Sequence, residues 1–391
     1  MNVFLLIGGT VGGADAAASS AAAAASPLAR ASAAVDGLFD YYYRGEPGGS
    51  AQFFFACGQI GGSAPPRLAP VPASQCVCED ERPWGCVNCY RWWSAVALEA
   101  VASYALAAGL LPSDARAARV LQAAEQTWQH APYNAHWNAT AHPTWVDDFA
   151  WYGLAYSRVY DWTGDPRWRQ RALALLEWGW AYGWDATKSE GGGECGGFWW
   201  SLHEQQRFKD SISMVELLHL ASRMAASSQS SAERAIHLAR AERTWSWLAG
   251  FSGGRGLLAS NGVMSTGVQP EWCCRAEAAA SSRTNGTTCA NSLVPGESYN
   301  HGLLLSSAAL LYQLTHEPNY LAHVRALLSS AVANLTNSHG ALKDEQRGAR
   351  SQKPICNATS GFDPGKSEPL LIQGDLHGAL ADPHLNPNPS S

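Results

Sequence analysis

YDWTGDPRW at residues 160–168 and YQLTHEPNY at residues 312–320 are the stretches that decide the fold. Each opens on Tyr, carries Thr three positions on, turns through Gly-Asp or His-Glu, and restarts on Pro. Each unit reads as a helix, a tight turn rich in Gly, Asp or Pro, and a return helix. The flanks agree. WVDDFAWYGLAYSRVYDWT and PRWRQRALALLEWGWAYGW surround the first link, and SYNHGLLLSSAALLYQLTHE and PNYLAHVRALLSSAVANL the second. YALAAGLLPSDAR from Tyr104 holds the same place in an earlier pair, with Ser113 expected to cap the returning helix. The repeat predicts stacked helical hairpins, and irregular long loops between them favour a closed toroid over an open solenoid. Up to Leu335 the chain offers about nine helices, against about twelve in a six-hairpin toroid. The expected fold is all-α, an incomplete (α/α)6 toroid.

Outward from the repeat, the segment from Leu28 to Tyr42 has apolar spacing suited to an amphipathic helix ending at Gly45. Residues 46–90 then change character, with many Gly and Pro and five cysteines, Cys57, Cys76, Cys78, Cys86 and Cys89. This reads as a loop insertion stapled by disulfides; a structural zinc on the Cys76-x-Cys78 and Cys86-x2-Cys89 pairs is the other reading. Cys195, Cys273, Cys274, Cys289 and Cys356 also fall in loop-like sequence. Ten cysteines together with glycosylation sequons at Asn138, Asn285, Asn334 and Asn357 point to the secretory route. Residues 1–16 are expected to be a weak signal peptide, with a short apolar core and Ala14-Asp15-Ala16 as cleavage pattern but no leading Lys or Arg.

The chain of 391 residues carries a net charge of −6, with only 15% charged and 46% hydrophobic residues. Such a composition describes a packed body, not a disordered chain. Mild acidity without a basic stripe excludes nucleic acid as the expected partner. No run approaches the roughly 20 apolar residues of a membrane span. A monomer is expected. Seventeen Trp and thirteen Tyr are unusual, and flat aromatic faces suit ligand stacking as well as cores.

The sharpest chemical feature is Trp145-Val-Asp147-Asp148-Phe-Ala-Trp151. Adjacent carboxylates at a helix start repel unless their pKa values separate, which is what an acid/base pair needs. Asp147 can stay outside the helix and let both face one cleft; alternatively Asp147 only caps the helix and Asp148 favours its dipole. The aromatic flank tips the reading toward a sugar site. Gly191 to Trp200 adds a glycine-rich approach and the Trp199-Trp200 pair. Tyr299-Asn300 and Trp92-Trp93 open two further helices and would converge on the same mouth. No G-x-S-x-G elbow, HExxH or phosphate loop occurs, and the scattered histidines suggest no metal site.

In order, W-W-S-A-V-A-L, W-x-D-D-x-x-W, Y-x-x-T-G-D-P, G-G-x-W-W, F-K, Y-N-x-G and A-L-K-D-E resemble glycoside hydrolase family 76, the endo-α-1,6-mannanases and fungal cell-wall transglycosidases. The likeness runs from about residue 28 to 380 and leaves 381–391 as a Pro/Asn-rich tail. It implies an (α/α)6 toroid and retaining cleavage of α-1,6-mannosidic bonds in a mannose-containing polysaccharide. It also implies Asp147 as nucleophile and Asp148 as general acid/base. Trp92, Trp93, Trp145, Trp199, Trp200, Lys209, Tyr299 and Asn300 would bind substrate. No metal and no organic cofactor is implied, and the place of action would be the cell wall or extracellular space. The chain departs from the family pattern at Asp210, Met214 and His301. It also ends about three helices early, as a truncated gene product would. A glycan-binding protein that keeps the aromatic cleft without turnover, and a plain helical scaffold, are the readings of other classes.

Overall fold

The computed structural model describes residues 26–41, 43–44, 52–53, 92–130, 145–185, 196–202, 209–250, 257, 264, 267–268 and 298–335. The expected signal peptide, all ten cysteines, three of the four sequons, the ALKDE motif and the tail lie outside them. So does the 46–90 insertion except for Gln52–Phe53.

Nine α-helices occur among the described residues: α1 Pro27–Tyr41, α2 Trp92–Ala107, α3 Ala115–His130, α4 Val146–Thr163, α5 Pro166–Trp178, α6 Ser211–Ala226, α7 Ser231–Gly250, α8 Ser298–Thr315 and α9 Pro318–Ser330. Two π-helical turns, Gly179–Gly183 and Ala331–Leu335, extend α5 and α9. Two-residue strands form two small antiparallel ladders, β1 Tyr43–Arg44 with β2 Gln52–Phe53, and β3 Lys209–Asp210 with β4 Gly267–Val268. None of the described helices is long and apolar enough to cross a membrane. No group of three or more potential metal ligands gathers among the described residues.

The repeat seen in the sequence is repeated in hydrogen bonds. In the first link Thr163 Oγ1 donates to the Val159 carbonyl at 2.7 Å, and Gly164 N–H to Tyr160 at 2.7 Å. Asp165 N–H then donates to Thr163 Oγ1 at 3.2 Å. In the second, Thr315 Oγ1 donates to Leu311 at 2.8 Å, His316 N–H to Tyr312 at 2.7 Å and Glu317 N–H to Thr315 Oγ1 at 3.2 Å. Gly164 holds φ +71° and His316 the equivalent φ +59°. Pro follows as the first residue of α5 and of α9, where its missing N–H is no loss. Local chemistry therefore dictates both turns.

Helix limits differ from expectation in two places. α1 ends at Tyr41, not Gly45, and the chain passes into β1. α3 starts at Ala115, and Asp114 rather than Ser113 is its cap residue: the Asp114 carbonyl accepts from Ala118 N–H, while its carboxylate turns back to Leu111 N–H at 2.8 Å.

Contacts divide the chain into two compact units. The first takes Met1–Leu5, His142–Gly153 and Ala172–Ser391, the second Leu6–Ala141 and Leu154–Arg171. In the first unit α6 packs against both α7 and α8, and α8 against α9. α6 is buried from Ser211 to Ala225, as a helix enclosed by neighbours must be. In the second unit α1 packs on α2 and α2 on α3. Trp168 there is wholly buried and meets Trp128 edge-on, with ring centroids 4.8 Å apart, and Tyr156 at 5.7 Å. The Arg167 guanidinium lies over both tryptophan rings and pairs with Glu125. Each aromatic pair contributes about 0.5–1.5 kcal/mol beyond its area.

Candidate active site

The site belongs to the first unit and is built where α4 begins. Residues 198–201 run extended. Phe198 bridges to Trp184, Trp199 to Lys209 and Ser201 to Trp145, all antiparallel. Val146 N–H donates to the Trp200 carbonyl at 2.8 Å. The short strand thus binds the first turn of α4 on one side and β3 on the other. Gly197 makes this possible with φ +82°, its Cα so close to the Trp247 indole that a Cβ would lie 2.8 Å from a ring carbon.

Both aspartates are helical. α4 starts at Val146, so Asp147 is not left outside the helix, and adjacent side chains diverge by about 100°. The Asp147 carboxylate is held at both ends. Oδ1 accepts from Asp148 N–H at 2.9 Å and Oδ2 from the Trp200 indole Nε1–H at 2.8 Å. Burial pushes the Asp147 carboxyl up from 3.8 to about 6, against the opposing pull of the Trp200 and backbone hydrogen bonds. Trp145 lies against Trp200, with centroids 4.4 Å apart and planes 49° apart, forming an aromatic wall beside the carboxylate.

Tyr299, at the second position of α8, is half-buried and meets Trp151 of α4 edge-on at 6.1 Å. Asn300 is buried, and its Nδ2 donates to Ser211 Oγ at the start of α6 at 2.8 Å. Trp199 is half-buried with the Lys209 ammonium 3.4 Å from its ring centre. Lys209 is itself buried and bonded to Asp185. Trp145, Asp147, Trp199, Trp200, Lys209, Tyr299 and Asn300 are therefore drawn into one unit, from the start of α4 and the residue before it, the start of α8, the 198–201 strand and β3. Trp92 and Trp93 open α2 in the second unit, where Trp92 is half-buried.

The three departures from the family pattern each have a local role. Asp210 caps α6, its carboxylate accepting from Ser213 N–H at 3.1 Å, a position where Asp and Asn serve equally. Met214 Sδ accepts from Phe198 N–H at 2.9 Å. His301 Nε2 accepts from Met264 N–H at 2.8 Å, which leaves its proton on Nδ1. Asp185 was missed by sequence reasoning, since one Asp after a Trp carries no signal of pairing with a lysine 24 positions on.

The profile of glycosyl hydrolase family 76 matches residues 27–357. The chain belongs to glycosyl hydrolase family 76. No curated protein matches it by sequence alone. Among solved structures, a family 76 glycoside hydrolase from a bovine Bacteroides thetaiotaomicron strain aligns with TM-score 0.56 and 17% identity. That alignment covers 82% of this chain and 60% of the other. A Listeria innocua protein gives 0.54 and 19%, covering 81% and 72%. A family 76 mannosidase from Bacteroides thetaiotaomicron gives 0.53 and 17%, covering 79% and 72%. At these identities the likeness establishes the fold, which is all-α and of the α/α toroid class. The chain spans 60–72% of the length of these three proteins.

Proposed function

We propose that this family 76 protein cleaves α-1,6-mannosidic linkages with retention of configuration, Asp147 and Asp148 carrying the chemistry. The observation that supports this best is the Asp147 carboxylate, gripped at both oxygens and shielded beside the Trp145–Trp200 wall. Two donors fix the plane of a nucleophile and stabilise it as the leaving carboxylate of the second step. The aromatic wall suits the apolar face of a pyranose.

In the first step Asp147 attacks the anomeric carbon while Asp148 gives its proton to the departing glycosidic oxygen. The glycosyl ester on Asp147 then yields to water, whose proton Asp148 takes back. An acceptor sugar hydroxyl in place of water gives transglycosylation with the same proton bookkeeping. The raised Asp147 pKa sets a condition, because the nucleophile is half ionised at about pH 6 and mostly ionised only above it. The substrate is a mannose-containing polysaccharide met in the cell wall or extracellular space.

The test is reducing-sugar release from linear α-1,6-mannan by wild type, Asp147→Asn and Asp148→Asn, with the anomer of the first product read by proton NMR. Loss of turnover in both variants and an initially α product are expected. Turnover surviving in either variant, or an initially β product, would remove the two-aspartate retaining assignment.

A further inference from the structure

The buried pair Asp185–Lys209 lies one residue from the strand position that serves Asp147. We infer that Lys209 is a positioning residue, not a sugar ligand, and that Asp185 and Lys209 together lock Trp199 and hence the neighbouring Trp200 in place beside Asp147. The inference deepens the proposed function and rests on it for its kinetic readout.

Lys209 is 5% exposed. Its Nζ lies 2.9 Å from Asp185 Oδ2, 3.0 Å from the Gly197 carbonyl and 3.4 Å from the Trp199 ring centre. An ammonium has three N–H donors, and a carboxylate, a carbonyl and a π face occupy those three directions. The Gly197 carbonyl also accepts from Asp185 N–H at 2.9 Å, and Trp199 N–H donates to Gly183 at 2.9 Å. Asp185 and Lys209 therefore pin the start of the 197–200 strand from two sides. Trp200 follows on the opposite face and delivers Nε1–H to Asp147. Buried ion pairs are a weak source of stability, because desolvating both ions offsets their attraction. A cation over an aromatic face adds to apolar packing an electrostatic attraction with a preferred geometry. The pair's service is geometric.

The experiment compares wild type with Lys209→Met, Asp185→Asn and the paired D185N/K209M variant on linear α-1,6-mannan across pH. Each variant is expected to lower kcat by about tenfold, as a small misplacement at a reacting centre does. KM should stay within about twofold, and the acidic limb should move upward as Asp147 loses its indole donor. The paired variant should be milder than the sum of the single ones, since no unpaired buried charge remains. It is the form to measure where a single variant does not fold. A raised KM with kcat and pH limb unchanged would overturn the inference and make Lys209 a substrate contact. Unchanged kinetics would overturn it as well.

Should wild type not turn over α-1,6-mannan, the proposed function fails separately. The inference is then decided by the near-UV circular dichroism band that Trp200→Phe removes from wild type. Loss of that band in D185N/K209M with the far-UV spectrum unchanged supports the inference, and a retained band overturns it.

Discussion

The indole N–H of Trp200 reaches Oδ2 of Asp147 at 2.8 Å across 53 residues of sequence, and this bond ties the glycine-rich strand to the first turn of α4. Asp148 N–H holds the other oxygen at 2.9 Å. These bonds favour the ionised carboxylate, while burial favours the protonated one and wins. The balance leaves the Asp147 carboxyl raised to about 6.

Replacing Trp200 by Phe removes one of the opposing donors. A hydrogen bond to a charged group contributes about 1.5–3 kcal/mol, so the Asp147 pKa should rise by about one pH unit or more. The acidic limb of kcat/KM on α-1,6-mannan is expected to move up by the same amount. A limb that stays in place would show that Trp200 does not tune Asp147.

The direction of the pH profile also tests the role of Asp147. A nucleophile needs the anion, so kcat/KM should increase as pH rises through about 6. A general acid needs the proton, and the same group would then produce a fall across that range. A profile that declines through pH 6 with no acidic limb would exchange the roles of Asp147 and Asp148.

The same carboxyl should make the fold less stable at neutral pH. Its folded pKa of about 6 exceeds the 3.8 of the unfolded chain, so between these values the native state holds more protons and stability falls as pH rises. The loss is complete above about pH 6 and absent below about pH 3.8. Asp147→Asn is expected to stabilise the protein at pH 7 by up to about 3 kcal/mol, with no gain near pH 3.5. Urea denaturation at the two pH values measures it.

His316 adopts the left-handed conformation that Gly164 takes in the matching turn. A side chain there costs about 1 kcal/mol relative to Gly. His316→Gly should raise stability by about 0.5–1 kcal/mol, and Gly164→Ala should lower it by about 1 kcal/mol. Opposite signs in thermal unfolding would establish the two turns as equivalent.

Gly197→Ala should be far more harmful. It combines φ +82° with a Cβ placed 2.8 Å from a Trp247 ring carbon, and the Gly197 carbonyl serves both Asp185 and Lys209. A loss of about 2–3 kcal/mol is expected, with activity falling further than stability alone explains. Wild-type activity in this variant would show that the strand tolerates displacement.

Sequence by itself determined the hairpins, because their instructions are local. Thr163-Gly164-Asp165-Pro166 and Thr315-His316-Glu317-Pro318 close their turns with hydrogen bonds spanning no more than four residues. It also placed Asp147 and Asp148 at a helix start among aromatics, since a charged pair between tryptophans stands out at short range. What it left open was decided at long range. Nothing near Lys209 foretells Asp185 on one side and Trp199 on the other, and nothing near Asp147 foretells that Trp200 donates to it. Those contacts exist because Gly197 lets the strand pass close over Trp247, between β3 and the first turn of α4. Burial and hydrogen bonding from separate segments then set the Asp147 pKa. Periodicity records which residues enter the core; only packing decides which of them meet, and a carboxylate's proton affinity depends on whom it meets.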